Sequence, residues 1–591
     1  MKRPLLLFFG LCIGLAALRA QPDTLPADRR YDWSQAGAFD PSAAVAAVSL
    51  TDWPATLSDD ERVAAALDAL KPQGGTLYFP PGDYQLHRTI SLFSGVHLRG
   101  AGADQTRLHF DLGGTGHTIE AIGATKSALP LTTGALRGDH FLVAADATIA
   151  PGTYLRTRMQ DTDLVTSGWA AGSVGQLVRV TQVAGDTLFL DAALRLDLPL
   201  DRQPEVLPVQ AIRDVGVHCL SIARNDPTPA QTSTIFWQYV VDGAVEGVES
   251  RFANFAHVTL DNSAHITVQH GYFHHAHAYG NGGQGYGVVV QRGTGDCLVE
   301  NNVFEHLRHS MLLQAGANGN VLAHNYSHSP FWTGTTLPDD AAGDLVLHGN
   351  YVFANLLESN QVQNIVIDES HGANGPHNVF YRNRAEHYGL VMGFGGLTHA
   401  QSFVGNEITG TAEGNLGVYF VTGNNHYQRA NRIKTTVLPP NSPPLLGHSL
   451  YRPIPPAYYD AELPVPLFGE AADLLYQLPA AYRADSLAVP AVCAPGFYFV
   501  PPNADPNDDE EIVSTIAPTD VAWAVVPNPV RDGFVLRDLA QPTNFELLDT
   551  WGRVIWQRTL VPDTVCSLAN LPSGMYVLRA ATGRAVRVVV P

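Results

Sequence analysis

The chain has 591 residues and a formal charge of −20, with 16% charged residues, 54 Gly and 40 Pro. That length admits several domains or one long solenoid, and the composition favours strands and turns over helices. So acidic a balance argues against nucleic acid as a partner.

In chain order, residues 1–20 begin with Lys2 and Arg3, continue in an apolar run from Leu5 to Leu18 and end in Ala20. This pattern predicts a secretory signal peptide rather than a span, because the run is too short. Residues 21–57 read as a leader. Ser58-Asp59-Asp60-Glu61 is a helix N-cap signal before the helical run Arg62–Leu70. Between Gly74 and Gly102, short apolar runs (Leu77–Phe79, Ile90–Leu92, Val96–Leu98) are separated by Gly, Pro, Asp and Ser. These are short buried strands with turns between them. Alternation in Leu177–Thr181 and the turn Ala184-Gly185-Asp186 predict a small antiparallel insertion over about 138–200.

From about 210 to 410 a motif recurs, with Gly271, Asn302, Asn325, Asn350, Asn383 and Asn406 as its markers. Such a period means one coil of three short strands per turn, with the asparagines stacked as an amide ladder. Two intervals are over-long. Their excess falls at 274–287 and 368–377, which predicts two loops on a binding face. Residues 439–515 read as a Pro-rich wrap and an acidic linker ending near Asp505–Glu511. The tail, 516–591, has short alternating strands with turn signals, the pattern of a small β-sandwich. Once a signal peptide is removed, four cysteines remain: Cys219, Cys297, Cys493 and Cys566. They lack CxxC spacing and read as buried small hydrophobes, with a single bridge left open.

The order helix, GG-strand-PPG-Y, strand, GVxLxGaG between residues 58 and 102 resembles the first turn of pectate-lyase-like proteins. The resemblance implies an all-β chain, a right-handed parallel β-helix over 58–438, and a carbohydrate polymer as substrate. Pro527-Asn528-Pro529, Asp549-x-x-Gly552-Arg553 and Leu571-x-x-Gly574-x-Tyr576 resemble the C-terminal sorting domain of the type IX secretion system of Bacteroidetes. That implies export to the outer-membrane surface or the medium of a Gram-negative cell, with the secretion machinery as a partner. The expected form is a monomer.

Residues 251–400 contain 15 of the 23 His, five Arg and no Lys. Eliminative cleavage of a uronic-acid polymer needs a group that neutralises the sugar carboxylate and a base that takes the neighbouring proton. With Lys scarce, Arg308 is the expected neutraliser, and His309, His275, His277 and Tyr279 are the candidates for proton transfer. Arg292, Tyr286, His328, His371 and His377 are expected to bind substrate. An ordinary imidazole pKa of about 6.5 suits that work. Hydrolysis would instead need two carboxylates. Asp368 and Glu369 are the best candidates, with Asp344 and Glu386 as partners. The hydrolase resemblance is limited to Ser370-His371-Gly372 and Arg432-Ile433-Lys434, without the polygalacturonase NTD and DD motifs. Asp368 and Glu369 are also the residues that would hold Ca²⁺; no cofactor is otherwise implied. A zinc site on His275 and His277 with His309 or His371, and a non-catalytic glycan-binding surface protein, are the remaining alternatives.

Overall fold

The computed structural model describes residues 24–38, 47–145, 149–280, 282–334, 337–410, 417–445, 449–459, 465–470, 477–493 and the strands between 524 and 590. The expected signal peptide, the acidic run Asp505–Glu511 and most of the sorting-type motif residues lie outside this set. Among the described residues no helix is long and apolar enough to cross a membrane. Two units are distinguished: residues 1–451 with 458–503, and residues 452–457 with 504–591.

The first unit is a parallel β-helix. Its coils contribute successive strands to three long parallel faces. The first face runs in order from Ala47–Ser49 to Tyr427–Arg429. The second includes Tyr272–Ala276, Val303–Glu305 and Tyr326–His328, paired in register. The third includes Tyr286–Gln291, His309–Leu313 and Leu345–His348, likewise in register. Gln361–Asp368 and Arg384–Met392 are long enough to serve both second and third faces. Val, Ile, Leu and Phe fill the interior and stack from coil to coil, as Phe273 does on Phe304 with ring centroids 5.5 Å apart.

A solenoid has an open edge at its first coil, which must be covered. Helix Asp59–Leu70 does this by burying Val63, Ala66 and Leu70. Its start is fixed by a reciprocal cap between Ser58 and Glu61. Gly74, at φ +74°, follows the helix; a Cβ there would stand 2.6 Å from the Gly95 carbonyl oxygen.

The amide ladder differs from the sequence reading at one position. Asn302, Asn325, Asn360, Asn383 and Asn406 each donate side chain to side chain to the next member at 2.9–3.0 Å, the last to Asn431. Asn350 is not a member. Its Oδ1 instead accepts from the backbone of Thr166 and Ser167 in the insertion. The long interval is therefore Asn325 to Asn360, 35 residues, and its excess lies in the connection between Tyr326–His328 and Leu345–His348. The 368–377 segment is an ordinary turn. A second ladder, Asn320–Asn355–Asn378–Gln401, runs parallel to the first.

The antiparallel sheet of the insertion reaches from Ala124 to Gln210, beyond the expected 138–200. Leader residues Leu25 and Trp33 pack outside the first face against Leu298, Val321, Leu356 and Val379. A helix at Pro479–Ser486 places the Arg483 guanidinium on Asn301. Just beyond it, Cys493 is disulfide-bonded to Cys219, with the Cα atoms 5.5 Å apart. Two of the four cysteines are thus a cross-link rather than small hydrophobes, whereas Cys297 and Cys566 are buried and free. Their separation of 274 residues hid the pair from spacing rules.

The second unit contains a three-stranded sheet (Ala524–Val526, Gly533–Arg537, Val565–Ser567) and a four-stranded sheet (Val554–Leu560, Thr543–Leu548, Gly574–Ala580, Ala585–Val590). Both are antiparallel.

Candidate functional site

Alternation along the third face sends Val288, Val290, Met311 and Leu313 inward and leaves two outer rows. Val289, Leu312, Val346 and Val366 form the apolar row. Two residues further along each strand lies a polar row, Asp261, Gln291, Gln314, His348 and Asp368. Here Gln314 donates to Gln291 at 2.8 Å and Gln291 to Asp261 at 2.9 Å. At the other end His348 Nδ1 is 2.5 Å from Asp368 Oδ2.

Alternation fails at the strand starts, and that failure makes the site. Tyr286 has the parity of the interior residues Val288 and Val290, yet it packs with the outer apolar row. His309, its register partner on the next coil, stacks on it with centroids 5.1 Å apart. His348 lies 5.7 Å beyond His309, and His371 sits edge-on to His348 at 4.7 Å. Arg308 places its guanidinium 5.7 Å from the Tyr286 ring centroid and 5.2 Å from that of Trp332. One guanidinium nitrogen donates to the Gly280 carbonyl, and Nε has no partner among the described residues.

Tyr286, Arg308, His348 and His371 border a cavity of about 650 Å³, with His309 packed between Tyr286 and His348. Gly282 and Gly283 bound it on one side, and Ser370, His371 and Trp169 on another. Trp169 comes from the insertion and is half exposed. Arg292 also lines the cavity and pairs with Asp261 at 3.5 Å.

Burial decides the protonation states. His309 is 7% exposed, and its Nδ1 is 2.9 Å from the Gly343 carbonyl oxygen. A carbonyl only accepts, so Nδ1 carries the proton and Nε2 keeps the lone pair. Burial, aided by His348 and Arg308, pulls the His309 pKa down to about 3. His371 is lowered by burial and by His348. Asp368 stays ionised despite burial, because His348 and Ser370 hydrogen-bond its carboxylate and hold its pKa well below the usual range. The site therefore offers a fixed guanidinium and neutral imidazole rings beside a half-open cavity.

The sequence-predicted residues divide. Arg308, Tyr286, Arg292 and His371 line the cavity, His309 is stacked on Tyr286 next to it, and Asp368 stands behind His348. His275, His277 and Tyr279 stand around the turn after Tyr272–Ala276. His275 packs on His306 at 5.0 Å, His277 hydrogen-bonds the Arg224 carbonyl at 2.9 Å, and the Tyr279 hydroxyl accepts from Ala276 at 2.8 Å. The sequence reading set these beside His309 as candidates for proton transfer; they belong to the second face and its corner. His328 is on the second face over Tyr326. His377 is remote as well, 2.9 Å from the Tyr31 hydroxyl and 3.2 Å from Arg137.

The paired-ligand reading of Asp368 and Glu369 is corrected. Glu369 turns to the next coil and accepts from Thr398 at 2.7 Å, because neighbours on an extended chain face opposite ways. Among the described residues no group of three His, Cys, Asp or Glu is arranged to hold a metal ion. The carboxylates proposed as partners are elsewhere. Asp344 is buried, with Ser327, Gln363 and Asn364 donating to it, and its pKa is raised to about 6 by burial. Glu386 is tied to Gln361 at 3.0 Å. His348 and Trp169 were missed; alternation in Leu345-Val346-Leu347-His348 would have exposed the first.

No protein-family model matches the chain, and no curated protein does. Among solved structures, the tailspike protein gp49 from Pseudomonas phage LKA1 is similar at 18% identity and TM-score 0.43, covering 64% of each chain. The Streptococcus pneumoniae surface adhesin PfbA is similar at 10% identity and TM-score 0.38, covering 65% of this chain and 84% of that one. The A-module of Azotobacter vinelandii mannuronan C-5 epimerase AlgE4 gives 15% identity and TM-score 0.27, covering 66% and 97%.

Proposed function

We propose that the third-face cavity cleaves an acidic polysaccharide by β-elimination. The observation that carries this reading is the spacing of carboxylates. The cavity lining holds one, Asp261, and the next, Asp368, stands behind His348. Register places them four strand steps apart, through Gln291, Gln314 and His348, which is roughly 19 Å. Hydrolysis needs its two carboxyl groups about 5–9.5 Å apart. Both carboxylates are also already hydrogen-bonded or ion-paired.

Elimination asks for what the cavity supplies. Arg308 pairs with the uronate carboxylate and makes the C5 proton acidic. His309 Nε2 takes that proton. The electron pair forms the C4=C5 bond as the C4–O4 bond breaks, and O4 leaves with a proton drawn from solvent water, since His371 is lowered by burial and by His348 and is neutral. A free-state pKa of about 3 makes His309 a weak base. One cause of that depression is the Arg308 charge, and a substrate carboxylate on Arg308 cancels it, so the base gains strength when substrate is bound.

The acidic limb of kcat/KM should then lie well below pH 6.5, since that parameter reports the free protein. A limb at 6.5 would assign the base to an unperturbed histidine instead. The chemistry itself is tested by mass spectrometry of polyuronate digests. Elimination gives fragments with a non-reducing end one water lighter than hydrolysis does. Water-complete fragments would favour the hydrolase.

We further infer that residues 516–591 direct export through the type IX machinery. The antiparallel sheets there are consistent with a separate folding unit. Deletion from 516 onward is expected to leave the β-helix folded and retained in the periplasm. Normal surface delivery of the truncated chain, measured by cell fractionation, would overturn this.

A further inference from the structure

The outer apolar row of the third face does not end at the cavity. Register extends it to Phe236 and Thr259 on the earlier coils, and to Val391 and Phe420 on the later ones. Its exposure changes along the way. Val289, Leu312 and Val346 are buried, whereas Val366, Val391 and Phe420 are half exposed. The row is thus open at Phe236, which is also half exposed, and again over the longer stretch toward the C-terminal coils, beyond His348. Beside its end stands Phe394, 86% exposed, with its ring centroid 5.2 Å from that of Phe420. It is carried on Gly393-Phe394-Gly395-Gly396, one coil beyond Glu369. A large aromatic ring left in water loses apolar burial, and here two rings are presented together beside the half-exposed stretch Val366, Val391 and Phe420.

Resting on the glycan reading of the cavity, we propose that the polymer runs along the third face toward the C-terminal coils and that Phe394, backed by Phe420, stacks on one of its sugars. The occupant is a glycan rather than a protein segment for two reasons. The half-exposed stretch begins one coil beyond His348 and beside Ser370 and His371, which line the Arg308 cavity. The polar row also runs beside it, from Asp368 to Thr422, two residues along from Val366 and Phe420. The aliphatic C–H face of a pyranose fits an aromatic ring, while its hydroxyls reach the polar row. Leu312 and Phe420 are four strand steps apart, roughly 19 Å, so this contact is several sugars from His309. Phe394 therefore governs preference for chain length, not the chemical step.

The test uses the full chain and its Phe394→Ala and Phe394→Trp variants, with alginate and polygalacturonate as probes. Each protein is assayed on polymer and on trisaccharide and run in gels containing the polymer. Phe394→Ala should raise KM for polymer by roughly 2- to 10-fold. It should leave kcat and all trisaccharide parameters unchanged, and it should reduce gel retardation. Phe394→Trp should restore retardation. Equal polymer KM and retardation in Phe394→Ala and the parent would overturn this inference while leaving the cavity reading standing. Equal losses on trisaccharide and polymer would also overturn it, as they would mark a structural role. Absence of cleavage and of retardation in the parent protein would overturn both.

Discussion

Arg308→Ala is expected to abolish turnover of a polyuronate, a loss of about 10³-fold or more, while the β-helix remains folded. The guanidinium is the one permanent positive charge beside the His309 ring, and it is held between Tyr286 and Trp332. Removing a preorganised charge from a developing anion costs about 10²–10³-fold on its own. Loss of carboxylate positioning adds to that. Arg308→Lys should not recover full activity, because an ammonium cannot reproduce the planar fork for a carboxylate. Since Arg308 also holds the Gly280 carbonyl, circular dichroism and thermal unfolding must accompany the kinetics. His309→Ala should cost about 10²–10⁴-fold. Wild-type rates in both variants would move suspicion to Asp368, Glu369 and hydrolysis.

Asn360→Ala should be the most damaging single change to stability, lowering it by roughly 4 kcal/mol or more. Asn360 is fully buried. Its Nδ2 donates to Leu322 O at 2.8 Å and to Asn383 Oδ1 at 2.9 Å. Its Oδ1 accepts from Asn325 N and Asn325 Nδ2 at 3.1 and 2.9 Å. Alanine leaves four buried polar groups short of a partner in the middle of the ladder. Asn350→Ala, by contrast, removes a contact at the edge of the insertion and should cost about 1–2 kcal/mol. Urea unfolding of the two variants distinguishes a ladder centred on Asn360 from one passing through Asn350; equal losses would contradict the assignment.

Asn350 also shows what the sequence withholds. LHGNYV and LESNQV both fit the repeat motif and sit ten residues apart. Counting forward favours Asn350, whereas the 23-residue step back from Asn383 lands on Asn360. The choice mattered beyond the ladder, since it moved an insertion from before Leu345 to after Asp368, although Ser370 and His371 do line the cavity. The coils themselves were legible in Gly74–Gly102, because short strands, turns and a capping helix leave local signals. Arg308, His309, Tyr286 and His371 were legible as a cluster of scarce chemistry. Their outward orientation was not, because it depends on a break in alternation at the strand starts. His275, His277 and His328 were grouped with them because histidines crowd this region, and crowding in sequence does not say which side of a corner a residue occupies. Trp169 reaches the cavity from an insertion more than 100 residues earlier, and no local pattern announces such a contact. The disulfide between Cys219 and Cys493 was hidden for the same reason.

The central claim is elimination at the Arg308–His309 site. Its most direct measurement follows ultraviolet absorbance and new reducing ends together during digestion of a polyuronate by the full-length protein. Elimination predicts one conjugated C4=C5 double bond for every new reducing end, with both signals lost in Arg308→Ala. Reducing ends that accumulate without that absorbance would contradict the account.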